Sequence, residues 1–183
     1  MKIKILLFVL LGVYQLSSAQ KYISKTGHIW FYSHTPMEEI EGHNRQVASI
    51  LDPATGDIIF SLLQKSFEFK VKLLEEHYNE NYLESDKYPK ATFKGKITNL
   101  DKIDFKKDGV YTAEATGELM MHGVTKTVTN TGTIEVKNGV VTAKSKYMII
   151  PQDYKIEIPA LVAEKIAKEV EVNIDVTYSP NNP

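Results

Sequence analysis

YTAEATGELMMHGVTKTVTNTGTI, residues 111–134, is the stretch on which the fold turns. Its first half alternates strictly: Ala113, Ala115, Gly117 and Leu119 share one side, and Thr112, Glu114, Thr116 and Glu118 the other. A period of two is the mark of a strand with one buried face. Leu119, Met120 and Met121 close this stretch, HGVTK follows, and alternating threonines open a second. The pattern recurs outward in both directions. In ATFKGKI, Ala91, Phe93, Gly95 and Ile97 oppose Thr92, Lys94 and Lys96; in EVEVNIDVT, Val170, Val172, Ile174 and Val176 oppose Glu169, Glu171, Asn173 and Asp175. The chain is therefore mainly β.

Turn chemistry separates these strands. Asp108-Gly109 and Asn138-Gly139 tolerate the positive φ of tight hairpins, and Asp52 to Asp57 forms a longer turn. Short antiparallel strands joined this way form a meander that closes into a barrel or folds into a sandwich. Two segments break the rhythm and read as helices. VKLLEEHYNENYLESD, residues 71–86, ends at Lys87-Tyr88-Pro89; ALVAEKIAKE, residues 160–169, follows Pro159.

The front of the chain reads differently. Lys2 and Lys4, an apolar run from Ile5 to Leu11 and the small residues Ser17-Ser18-Ala19 describe a signal peptide over residues 1–19, cut near Ala19. The remainder, residues 20–183, is expected to be one exported domain in the periplasm or outside the cell. Losing Lys2 and Lys4 leaves 20 basic residues against 23 acidic ones, a formal charge of −3. No basic block is present, which argues against a nucleic-acid partner. The chain has no cysteine, so thiol chemistry and disulfides are excluded. No P-loop, H-E-x-x-H, G-x-S-x-G or dinucleotide glycine pattern occurs, and no cofactor or metal is expected.

The composition of the inner faces bears on function. Ala113, Ala115 and Gly117 on one strand, with Ala91 and Gly95 on another, leave room where a packed sandwich would place Val, Ile and Leu. An eight-stranded barrel can hold one small ligand in such room. The competing reading is that Phe67, Phe69 or Trp30 fills the gap from the opposite side.

Tyr88-Pro89, Ala91 to Lys94, and Gly117-Glu118-Leu119 running into His122-Gly123-Val124-Thr125-Lys126 resemble the YceI-like family of exported lipid-binding proteins. YMIIPQDYKIEIP, residues 147–159, is similar to the family's stretch ending in an Asp-Tyr pair, with Lys155 where glycine is common. The family's usual opening strand is represented here only by GHIWFYSHTPMEEI. The resemblance implies an eight-stranded antiparallel, lipocalin-like barrel with a flanking helix, enclosing an isoprenoid or fatty-acid-like lipid. Burying one CH₂ contributes about 0.8 kcal/mol, so a tail of ~15 carbons offers on the order of 12 kcal/mol before ordering costs. No catalytic residue is needed.

By parity, Phe93, Leu119, Met121, Val172 and Ile174 are expected to line the lumen, followed by Phe67, Phe69 and Met148. His122 has three readings: a polar hairpin corner, a head-group contact together with Lys126, or a catalyst; the corner is favoured. The alternatives to a carrier are a hydrolase or isomerase using His77 or His122 with a carboxylate, and a solid-cored interaction module. In a solid core Gly117→Leu would overpack; in a roomy one it would block ligand while the fold survives. A lipid cargo admits transient membrane contact, and an outer face of Thr and Lys permits a homodimer without requiring one.

Overall fold

The computed structural model describes residues 20–180; the expected signal peptide lies outside the described residues. Nine strands run in chain order: β1 Tyr22–His34, β2 Glu39–Leu51, β3 Asp57–Leu63, β4 Phe67–Phe69, β5 Lys90–Ile97, β6 Gly109–Met121, β7 Val124–Lys137, β8 Val140–Ile149 and β9 Val170–Pro180. Every pairing is antiparallel. The order β1-β9-β8-β7-β6-β5-β3-β2 returns to β1, so eight strands close a barrel, and β4 adds to β2 beyond the end of β3. Closure removes the free edges that an open sheet would expose.

Local chemistry sets the corners. His122 and Gly123 both take positive φ, 50° and 73°, which is the two-residue turn whose twist suits a hairpin, and Met121 pairs with Val124 across it. Asn138-Gly139 makes the same turn between β7 and β8. Asp108-Gly109 does not: it ends a loop and opens β6, and the Asp108 carboxylate accepts a hydrogen bond from the Asn138 amide at 3.0 Å.

One helix, α1 Lys72–His77, flanks the barrel and runs into a π-helical turn at Tyr78–Tyr82. The expected helix over 71–86 is therefore shorter, and the chain leaves it through Glu84, whose φ is +41°. The expected helix over 160–169 contracts to a 3₁₀ turn at Ala160–Val162 followed by irregular turns. This segment makes a strap from β8 to β9, tied to β1 by the Ala167 amide donating to Ser33 Oγ at 2.9 Å.

The lower end of the barrel is solid. Leu51, Ile97, Ile103, Val136, Val141 and Tyr178 pack there with Phe105 and Tyr111 beneath them. Above it, the inner residues Phe93, Ala115, Leu119, Met121, Val172 and Ile174 are only half-buried, although they point into the barrel. Their free surface faces a cavity.

Gly95 and Gly117 have a different role from the one their parity suggests. They sit opposite each other on β5 and β6. A Cβ on Gly117 would lie 2.3 Å from the Gly95 Cα and 2.4 Å from the Lys94 carbonyl oxygen, and one on Gly95 would meet the Phe93 ring at 2.4 Å. These glycines let two backbones approach and a ring fold across them. The room in the lumen comes from the alanines.

Candidate functional site: an apolar cavity and its clamp

The cavity has a volume of about 490 Å³, inside the ~300–1,000 Å³ span of small-molecule sites. It reaches from Ile58, Ile97, Ala113, Ile134 and Ala143 at its floor to Leu73, His77, Tyr82, Val162 and Ile166 at its mouth. On β6 the lining runs from Ala113 to Met121, eight residue steps, or ~27 Å along the strand at ~3.4 Å per residue. Polar groups are few. Ser33, Ser61, Thr92 and Asn130 are spaced along the wall, and Glu38 and Lys165 meet at the mouth with 3.7 Å between charged atoms.

Seven of the residues expected from sequence line this space: Phe67, Phe69, Phe93, Leu119, Met121, Val172 and Ile174. Met148 does not. On β8 the inward positions are Ser145, Tyr147 and Ile149, and Met148 is exposed on the outer face. Trp30 is also outside, stacked on His28 at 4.5 Å between ring centroids, so it plugs nothing. The aromatic filling that does exist is one-sided: Phe31, Phe67, Phe69 and Tyr78 pack together near the mouth, with the Phe31 and Tyr78 rings stacked at 5.5 Å. The Tyr78 hydroxyl donates to Gln64 Oε1 at 2.7 Å, and burial pushes its pKa up, so it stays a neutral donor.

Sequence reasoning missed Phe31, Phe60, Tyr78, Val128, Tyr147 and Ile149. The signal for Phe31 was present in the alternation Ile29-Phe31-Ser33, hidden because His28, Trp30, Tyr32 and His34 make the other parity ring-rich as well.

Neither expected head-group residue opens onto the cavity. Lys126 pairs with the Asp153 carboxylate at 3.0 Å and lies 5.9 Å from the centre of the Tyr154 ring. His122 is 7% exposed, and both of its nitrogens are used by protein: Nδ1–H donates to the Tyr154 carbonyl at 3.0 Å, and Nε2–H to Glu84 Oε2 at 2.8 Å. No nitrogen is left for a substrate, and the imidazole acts as a tie. Thr125, in the same motif, makes no side-chain hydrogen bond at this corner among the described residues. His77 borders the mouth without a carboxylate in hydrogen-bond reach among the described residues; Glu84, seven residues on, serves His122 instead.

The tie closes a gap. The β7–β8 ladder ends at Gly132 opposite Ser145, so the rest of β7, back to Val124, has no strand paired to it on that side, although Ser145 Oγ still donates to the Thr131 carbonyl at 3.2 Å. Asn130 spans the upper gap, its Nδ2 donating to Ser145 Oγ at 2.7 Å and to the Lys146 carbonyl at 3.0 Å. Residues 151–156 wedge into the remainder, with Tyr154 and Ile156 buried against Leu83, Leu119, Met121 and Val124. His122, Lys126 and Tyr88 surround this wedge, the Tyr88 ring meeting His122 edge-on at 4.5 Å. Burial pushes the Tyr154 hydroxyl up to about 12. Tyr-Pro, His-Gly-Val-Thr-Lys and Asp-Tyr thus form one spatial cluster. Lys155, where glycine is common in the resembled family, sits at φ +57°, the left-handed region glycine enters without cost.

A closed antiparallel barrel around an apolar, ligand-sized cavity is the architecture of lipocalin-like binding proteins. Residues 14–178 match the YceI-like domain, and the chain belongs to that family. The same fold occurs in a polyisoprenoid binding domain from Saccharophagus degradans implicated in plant cell wall breakdown (13% identity, TM-score 0.76, covering 87% of this chain and 98% of that one). It occurs also in Burkholderia cenocepacia BcnA (18%, 0.69, 84% and 96%) and in a Campylobacter jejuni YCEI protein (19%, 0.62, 82% and 90%). No protein of curated function matches the chain in sequence.

Proposed function

We propose that this protein is an exported, non-enzymatic carrier that shelters an isoprenoid or other long-chain lipid in its barrel, for storage, transport or envelope stress. Export to the periplasm or beyond rests on the leader expected over residues 1–19, with cleavage near Ala19. The observation that carries the reading is the cavity: an elongated space of about 490 Å³, walled almost wholly by apolar side chains and closed at its lower end. A long apolar chain gains by leaving water for such a wall, and the sparse polar groups limit what else would. The name of the Saccharophagus degradans neighbour supports a polyisoprenoid as the first ligand to try. With Lys126 and His122 both engaged in the wedge, a head group would meet Glu38, His77 and Lys165 at the mouth instead.

Organic extraction of freshly purified protein followed by mass spectrometry tests this. One lipid per protein is expected, or uptake of one from an offered mixture of polyprenols and fatty acids. Finding none bound and none taken up overturns the reading.

A further inference from the structure

The cavity mouth is bordered by exposed apolar side chains that no packing explains. Leu161, on the strap, is 95% exposed; Met37, at the turn between β1 and β2, is 61% exposed; Val71, at the start of α1, is 52% exposed. Each comes from a different chain segment, and each has a sequence neighbour in the cavity wall: Val162 beside Leu161, Glu38 beside Met37, and Leu73 two residues from Val71. Leu73 is itself exposed on its outer side and forms the inner edge of the rim. Lys165 of the strap reaches Glu38, and Ala167 is bonded to Ser33, so strap and β1–β2 turn lie side by side.

We infer that this rim is a docking surface for a lipid bilayer, with Met37, Val71 and Leu161 entering the acyl boundary around the mouth. The inference rests on the carrier reading, because a guest this insoluble has to come from a lipid phase. A mouth seated in that phase lets it pass without crossing water. Charge argues for insertion over electrostatic adsorption. Three lysines near the rim are already paired, Lys70 with Glu41, Lys72 with Glu75 and Lys165 with Glu38, and the strap's Lys168 is offset by Glu164 and Glu169 on the same segment. Binding should therefore occur on zwitterionic lipid and depend little on salt, unlike a polybasic contact.

The test uses the full mature chain and phosphatidylcholine vesicles carrying a fluorescent polyprenol. Wild type should co-sediment with the vesicles at both 50 and 500 mM salt, and extract the polyprenol at a rate that rises with vesicle concentration. Met37→Ser/Val71→Ser/Leu161→Ser should lose co-sedimentation and slow extraction by about tenfold or more. The triple variant should still bind polyprenol delivered from ethanol at one per protein. The control, Val110→Ser/Val140→Ser, removes two exposed apolar residues at other β6 and β8 positions and should behave as wild type. Wild-type extraction rates in the triple variant, or equal impairment of the control, overturn the docking surface. Vesicle binding without polyprenol uptake from any source overturns the carrier reading while leaving the docking surface standing.

Discussion

Ala115→Phe separates a hollow barrel from a solid one through the sign of its effect. Ala115 lies on the inner face of β6, opposite Asn130, and is half-buried because one side meets the cavity. At ~24 cal/mol per Å³, keeping a 490 Å³ space dry and empty would cost on the order of 12 kcal/mol. That is comparable with the whole stability of a domain, about 5–15 kcal/mol, so the space is filled by guest or solvent. A phenyl ring placed there replaces solvent with packed carbon. Its burial is worth about 2 kcal/mol, or about 4–8 °C in Tm for a chain of this length. The delipidated variant should thus be more stable than delipidated wild type in urea unfolding followed by circular dichroism. Loading should then reverse the order. At one hundred times Kd, lipid adds about 2.7 kcal/mol to wild type and little to a variant whose lumen is obstructed. Loss of about 1–3 kcal/mol in the delipidated variant, the signature of overpacking, together with an unchanged gain on loading, would refute a hollow lumen at this position.

Three further outcomes follow from particular contacts. Gly117→Ala should cost at least about 3 kcal/mol by urea unfolding, because its Cβ would collide with the β5 backbone; a loss under 1 kcal/mol would show that the strands can separate there cheaply. His122→Ala should lower stability by about 1–3 kcal/mol by stranding the buried Tyr154 carbonyl. Lipid uptake should persist in this variant, and its abolition in a folded protein would return His122 to the binding site. On the outer face, Arg45 donates to His28 Nδ1 and His28 Nε2–H to His43 Nδ1, with His43 Nε2 3.1 Å from Glu41, an arrangement that needs the His28 ring neutral. Burial, Arg45 and His43 hold the His28 pKa below 6.5. The unfolded chain therefore takes up the proton first, so this stabilisation is complete above pH 6.5 and is lost as pH falls towards the folded value. Denaturation at pH 8 and 5.5 should show a smaller difference in His28→Gln than in wild type; equal differences would remove His28 from the account.

The barrel was legible because its strands are two-faced. Where one parity is apolar and the other is threonine or charge, as from Thr112 to Leu119, direction follows from sequence. In YMII both parities are apolar, and nothing local distinguishes Met148 outside from Tyr147 inside. The helices were overextended for a related reason. Leu73, Leu74, His77 and Tyr78 supply a helical face, but the π-helical turn after His77 and the left-handed Glu84 carry the chain away. Val162 and Ile166 have helical spacing, yet turns suffice to bring both to the cavity. Gly117 was misread because a missing side chain has two meanings, open space or a neighbouring backbone, and only the partner strand tells which. The wedge of residues 151–156 joins groups up to seventy residues apart, from Glu84 to Tyr154, and no periodicity encodes that.

The broken ladder between β7 and β8 makes the wall unequally stiff. Along a continuous ladder, dilating the barrel means breaking several main-chain bonds at once; in this sector, among the described residues, the polar ties are the Asn130 and Ser145 side chains, one buried imidazole and one lysine–aspartate pair. A guest of larger girth would be accommodated by spreading this flank. Its amides should be the first of the barrel's strand interiors to exchange with deuterium when the lumen is empty.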